Sequence, residues 1–225
     1  QEQKNAVLRE QFIAMLGHDL RNPVHAIANA TQLLQRGELN ERQIRLASII
    51  SDANIRTKGL IDNILDFASG KLGGGIKLNF DNEHSLETAL QQVITELKTA
   101  YPQCKIKIEF GHDGELKADY RRMAQLFSNL LGNALTHGNT AEPISVSTKN
   151  IDGHFHLSVT NGGNKIAEET LKHLFKPFSR GSVEQGKEGL GLGLFIAHEI
   201  ALAHKGNLAV SSDDKRTCFT LRVPN

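Results

Sequence analysis

Cysteine, long apolar runs and an excess of either charge are what this chain of 225 residues lacks. Its two cysteines, Cys104 and Cys218, stand far apart and outside any metal-ligand spacing. They read as small apolar side chains of a reduced, cytoplasmic protein, and no disulfide framework is expected. No apolar stretch approaches bilayer-spanning length and no leader precedes the first helical pattern, so no membrane contact is expected from this segment. Lysine and arginine number 26 against 25 acidic residues, a net charge of +1. That balance removes the electrostatic ground for nucleic acid or an anionic bilayer as the main partner. Internal repeats and low-complexity tracts are absent as well. The first residue is Gln1 and not Met, which points to a segment of something longer.

What is present is periodicity. Ile13, Leu20, Ile27 and Leu34 recur every seven residues, with Leu16, Pro23 and Ala30 offset by three. This is a coiled-coil type of seam along a helix from about Lys4 to Gln35, which Pro23 should bend. After a short polar connection at Gly37 to Asn40, a second heptad from Glu41 to Phe67 carries Leu46, Ala53, Leu60 and Phe67 in one row and Ile50, Thr57 and Ile64 in the other. The two form an antiparallel hairpin over residues 1–70, and a hairpin of this size cannot bury both seams alone. Pairing with a second copy into a four-helix bundle, a homodimer, is the expected solution. Gly70, Gly73, Gly74 and Gly75 then read as a hinge, centred on 71–75.

Residues 76–225 read as an α/β sandwich, so the whole is an α+β protein. The pattern predicts a strand near Ile76 to Phe80, a helix from Ser85 to Thr99 and a strand over Lys105 to Phe110. Asp119 caps a helix from Tyr120 to His137, and strands Ile144 to Lys149 and His154 to Thr160 flank an Asp152-Gly153 turn. A short helix near Glu168 to Phe175, a Gly-rich lid, a helix from Leu192 to His204 and two strands near Asn207 to Ser211 and Cys218 to Val223 complete it. Phe175 and Phe178 are expected to anchor the lid in the core.

Chemistry concentrates in two places. In Leu16-Gly17-His18-Asp19-Leu20-Arg21-Asn22-Pro23, His18 falls nearly opposite the seam, so its imidazole does no packing and offers a ring-nitrogen lone pair to solvent. Asn22, four residues on, shares that face. His25 also faces solvent but lacks the flanking Asp and Asn. Downstream, Asn129, Asn133 and His137 follow one another at intervals of four, a polar stripe whose amide oxygens suit Mg²⁺. Alone, such a stripe is a solvated helix face. Two further segments make it a site. Asn161-Gly162-Gly163 directly follows a predicted strand and has little bulk, so that a flat ligand can approach the backbone while an amide reads its edge. Gly189-Leu190-Gly191-Leu192-Gly193 opens a helix with unobstructed N–H groups, a phosphate cradle. Arg180 and Lys187 read either as phosphate contacts or as solvated side chains.

The order and wording of these segments resemble the sensor histidine kinases of two-component signalling over nearly the whole chain. His18-Asp19-Leu20-Arg21-Asn22-Pro23 resembles their phosphoacceptor box and Asn129 to His137 their Asn box. Asn161 to Gly163 resembles the first glycine box, Leu174 to Phe178 the Phe box, and Gly189 to Leu194 the second glycine box. The resemblance implies a dimerisation and phosphotransfer hairpin followed by a Bergerat-type ATP-binding domain. It implies His18 as phosphoacceptor, Asp19 as its acid/base partner, and Asn22 as the residue that positions water for dephosphorylating the partner. Asn129 and Asn133 would lie around Mg²⁺, with His137, Asn161, Gly163, Arg180, Lys187, Gly189, Gly191, Gly193 and Thr217 around ATP. The implied partner is the receiver domain of a response regulator, with an upstream sensor domain outside this chain.

Four departures mark the nucleotide side. Asn161 stands where the family usually carries an Asp that reads the adenine amino group, which predicts lower ATP affinity. Asn in that place is similar to some phytochrome-type light-sensing kinases. Thr136 replaces a basic residue, Lys165 a glycine, and Arg216 precedes Thr217 where glycine is common. Asn161 and Thr136 leave a second reading, a catalytically silent phosphorelay scaffold or binding module; a third is a Bergerat ATPase of the gyrase or chaperone type, against which the hairpin with its phosphoacceptor box argues.

Overall fold

Two helices account for the first third of the chain. The structure, a computed structural model, describes residues 2–71, 75–80, 85–112, 116–139, 141–179 and 191–225, with the backbone alone at 2–14, 16, 71 and 100. It divides into two compact units, Gln1–Gly75 and Ile76–Asn225. No helix among the described residues is long and apolar enough to cross a membrane.

The first unit is α1 (Glu2–Gln35) and α2 (Glu41–Lys71), with α1 continuing through Pro23. Asn40 starts α2 by a reciprocal cap: its Oδ1 accepts from the Gln43 N–H at 3.0 Å, and its own N–H donates to Gln43 Oε1 at 2.9 Å. Gly70, read from the sequence as hinge, lies inside α2. The seam is shifted by one residue from expectation. Within the chain, Gly17, Val24 and Thr31, spaced by seven, turn toward α2 and are buried, and Val24 packs on Ile61 and Leu65. Leu20, Ile27, Leu34, Leu46, Ile50, Leu60 and Ile64 are each 39–50% exposed, an apolar face that one hairpin leaves uncovered.

The second unit contains α3 (Leu86–Ala100), β1 (Ile106–Gly111), α4 (Tyr120–His137), β2 (Ile144–Ile151), β3 (His154–Gly162), α5 (Glu168–Leu171), α6 (Gly193–Ala203), β4 (Asn207–Ser212) and β5 (Arg216–Pro224). The sheet order is β1-β2-β3-β5-β4, with β1 and β2 parallel and the other pairs antiparallel. Asp152 and Gly153 both have positive φ, 50° and 72°, as a two-residue hairpin turn requires. Alternation along β3 and β5 sends Phe155, Leu157, Val159, Phe219, Leu221 and Val223 to the buried face. There α4 supplies Met123, Leu126, Phe127, Leu130, Leu131 and Ala134, and α6 supplies Phe195, Ile196, Ala197, Ile200 and Ala201.

A buried histidine ties these helices. His204 Nδ1 donates to the Ile200 carbonyl at 2.8 Å, so Nε2 is the acceptor for the Asp119 N–H at 3.0 Å. Asp119 caps α4 through the Arg122 N–H at 3.0 Å, and its second oxygen accepts from the Asn79 N–H at 2.9 Å. That last bond bears on an expectation that fails: residues 76–80 form no strand, and Asn79 is held by a side chain where a ladder would have held it. The predicted helix to Phe175 stops at Leu171. Beyond it His173, Leu174 and Lys176 donate three residues back, a tight winding that leads to Pro177, where the N–H is missing.

The other face of the sheet is polar. His156 stands across from Lys149 and Arg222 in the strand register, and the Arg222 guanidinium lies 3.2 Å from the His154 ring. Partial burial, then the charges of Arg222 and His154, push the His156 pKa below its ordinary value, with Asp152 pulling weakly the other way. The unfolded chain therefore binds this proton more readily. The contribution of neutral His156 is complete above pH about 6.5 and is lost as pH falls toward the lowered folded value. Urea midpoints at pH 7.5 and pH 5 should fall less for His156→Gln than for the parent; parallel declines would refute it.

Candidate functional site

On α1 the exposed turn around His18 is already organised. Neighbouring helix positions diverge by about 100°, yet the His18 ring and the Asp19 carboxylate meet, Nδ1 to Oδ1 at 3.2 Å, with 72% and 66% of the side chains exposed. A carboxylate only accepts, so this contact places the proton on Nδ1 and makes Nε2 the nitrogen with the lone pair. Asn22 Nδ2 lies 3.2 Å from Nδ1 and 3.4 Å from Nε2. The i,i+4 spacing read from the sequence thus becomes a contact. His25 is exposed, as expected. A residue pair that sequence reasoning missed sits beside this turn: Arg21 reaches across to Asp62 on α2.

In the second unit, α4 runs along the site. Asn129 packs at the start of α6: a Cβ on Gly193 would lie 3.5 Å from Asn129 Oδ1. The Asn129 Nδ2 is buried without a hydrogen-bond partner among the described residues. Asn133 is half-buried one turn on, and His137 is exposed at the end of the helix. There Gly163 approaches the His137 carbonyl, 3.5 Å from a Cβ built on the glycine. Asn161 is buried, and its Nδ2 donates to the Gly162 carbonyl at 2.9 Å. That bond commits the amide nitrogen and leaves the oxygen as acceptor. Thr217 faces Asn161 across the β3–β5 register and is held by the Ser212 hydroxyl at 2.8 Å.

Among the described residues the N-terminus of α6 has no side-chain cap and no acidic residue in its first turn, an arrangement suited to an anion. Just before it, Gly191 has φ 67° and its carbonyl accepts from the Phe178 N–H at 3.1 Å. A Cβ there would meet Phe178 and Ser179 backbone at 3.1–3.2 Å, so only glycine fits. Phe175 is anchored as expected, stacked on His198 at 5.2 Å and edge-on to Phe219. Phe178 is not: it has φ 58° and is 58% exposed, so it is no core anchor. Arg180, Lys187 and Gly189 lie outside the described residues.

Among the departures, Thr136 turns its hydroxyl back to the Gly132 carbonyl at 2.9 Å, Lys165 is exposed, and Arg216 leans on Asp213 at 3.7 Å. The structure thus brings Asn129 to Gly193, Gly163 to the end of α4, and Asn161 to Thr217. A buried amide without a partner, beside an uncapped helix N-terminus, fits a phosphate and its cation better than a closed packing contact.

The His Kinase A (phospho-acceptor) domain family matches residues 8–73, and the histidine kinase-, DNA gyrase B- and HSP90-like ATPase family matches residues 118–225. A bacteriophytochrome of Pseudomonas aeruginosa is 34% identical over 96% of this chain and 30% of its own length. The histidine protein kinase DivJ of Caulobacter vibrioides is 28% identical over 96% of this chain and 37% of its own. The chain thus spans roughly a third of the length of these curated relatives. In fold, it is similar to full-length ShkA in complex with AMPPNP, at TM-score 0.71 and 23% identity, covering 95% of this chain and 45% of that one. With both domains matched in the order that its motifs require, this chain belongs to the sensor histidine kinases, as their two-component transmitter core.

Proposed function

We propose that the chain is an ATP-dependent protein-histidine kinase core that phosphorylates His18 and passes the group to an aspartate of a response-regulator receiver domain. The observation that carries this reading is the His18 ring, exposed, with Nδ1 engaged by Asp19 at 3.2 Å, which makes Nε2 the nitrogen that carries the lone pair. An imidazole so oriented attacks the γ-phosphorus in line: the Nε2–P bond forms, the bond to the β–γ bridging oxygen breaks, and ADP leaves. Asp19 holds the Nδ1 proton as positive charge develops on the ring. The buried Asn129 amide at Gly193, with Asn133 behind it, would hold Mg²⁺ and the phosphates. Mg²⁺, when bound, neutralises phosphate charge. The uncapped α6 N-terminus, with Gly191 and Gly193, takes phosphate oxygens. Asn161 accepts from the adenine amino group beside Gly163 and Thr217, and His137 closes that end of the stripe.

The hairpin of 1–70 carries the acceptor, the domain of 76–225 carries the nucleotide, and residues 71–75 join them. The exposed Leu20–Ile27–Leu34 face supports a homodimer. Asn22, touching the ring, is placed to orient water for removing phosphate from the regulator. The protein works in the cytoplasm, where ATP and the regulator are. The His Kinase A match at 8–73 argues against a gyrase- or chaperone-type ATPase. A silent scaffold would bind a regulator without taking label.

Incubation with γ-labelled ATP and Mg²⁺ tests this: label that is acid-labile and alkali-stable, and that a receiver domain removes, is the expected result. Absence of label with nucleotide bound overturns it.

A further inference from the structure

We propose that Arg21 and Asp62 are positioning residues for phosphorylation: their bridge fixes how far α1 is rotated about its own axis where His18 is presented. This rests on the reading of His18 as phosphoacceptor.

Three observations converge on one turn of the hairpin. Arg21 Nε and Nη2 both donate to Asp62 Oδ1, at 3.0 and 2.8 Å. Two donors of one rigid plane fix a direction, where a lysine would offer a single movable point charge. Among the described residues the buried apolar cluster at this level is Val24 with Ile61 and Leu65, and apolar contact is non-directional. Gly17 adds no side chain of its own; a Cβ there would lie 3.0 Å from Leu65 Cδ1 and 3.3 Å from Arg21 Nη1. The residue preceding His18 thus gives close approach, and the residue three beyond it sets the angle.

An exposed ion pair stabilises little, and this one, 43% and 31% exposed at its two side chains, is not argued as a source of stability. Its consequence is geometric. Arg21 precedes Asn22, whose amide touches the His18 ring, so a rotation of α1 moves Nε2, Asp19 and Asn22 together. In-line attack loses rate steeply with small misplacement. The spacing along α1 alone does not show this pair, because Asp62 lies 41 residues away and comes opposite only when the hairpin closes.

The test is the initial rate of His18 labelling over a range of ATP concentrations, in the dimeric chain, with thermal melting alongside. Arg21→Ala and Asp62→Ala should each lower kcat about tenfold while leaving the KM for ATP within about twofold. Arg21→Lys should fall between them and the parent. The exchanged pair, Arg21→Asp with Asp62→Arg, should recover at least about threefold over either single reversal. Parental rates in both alanine variants would overturn the proposal. So would an exchanged pair no faster than the single reversals, or a rate loss that merely follows a lower melting temperature. Label that persists in His18→Gln would instead defeat the acceptor assignment itself.

Discussion

His18→Gln protein, given γ-labelled ATP and Mg²⁺, will take up no acid-labile phosphoryl group, a fall of at least about a thousandfold, because the glutamine amide has no basic ring nitrogen to attack phosphorus. Stability should hardly change: the ring is 72% exposed and its partners are Asp19 and Asn22, themselves exposed. Nucleotide binding should also be unaffected, since Asn129, Asn161 and Gly193 belong to the other compact unit. Asp19→Asn separates orientation from nucleophilicity. Its oxygen still accepts from Nδ1, but the charge that stabilises the developing imidazolium is gone, so labelling should slow about a hundredfold without vanishing. His25→Gln should label at the parental rate. The outcome that sinks the acceptor assignment is acid-labile label of parental stoichiometry in His18→Gln.

Where a local signal suffices, the chain is legible without coordinates. Asp119 caps a helix that runs from Tyr120 to His137, as the periodicity predicts, because one face of it must be apolar and its N–H groups need an acceptor. Asp152-Gly153 turns as its backbone preferences demand. The candidate site is legible for the same reason: His18 with Asn22, and Asn129 with Asn133, are helix-spaced.

What escapes is long-range. The face that α1 turns toward α2 is offset by one residue from the heptad rows: Gly17, Val24 and Thr31 are buried within one chain, while Leu20 and Ile27 stay exposed. Residues 76–80 look like a strand, yet Asn79 is bonded to a carboxylate 40 residues on. Phe178 looks like a core residue, but its backbone bends into the left-handed region to donate to Gly191. Nothing in the sequence singles out His204; only the fold shows it binding the start of α4 to the end of α6.

Asn129→Leu should trade function for stability. Leucine has the same branching as asparagine, so it fits the space beside Gly193 with little rearrangement. It also removes an Nδ2 that is buried without a hydrogen-bond partner among the described residues. Burying an unsatisfied amide costs about 1–3 kcal/mol, and the ligand-free variant should therefore melt no lower than the parent, with a gain up to that size. Adding Mg·ATP reverses the comparison. The parent, which binds nucleotide only when folded, rises in melting temperature by mass action. The variant has lost the amide that would meet the phosphates and their cation, so its rise should be absent or a small remainder, and labelling of His18 should drop at least about a hundredfold. Asn133→Leu, only half-buried and with no orphaned atom, should show the loss of labelling without the gain in stability. The reading of Asn129 as a ligand group fails if the ligand-free variant is destabilised by more than about 1 kcal/mol while its nucleotide-induced shift survives. That pattern would make the buried amide a packing element whose partner forms within the protein, and the nucleotide would have to be held by other groups on α4 and α6.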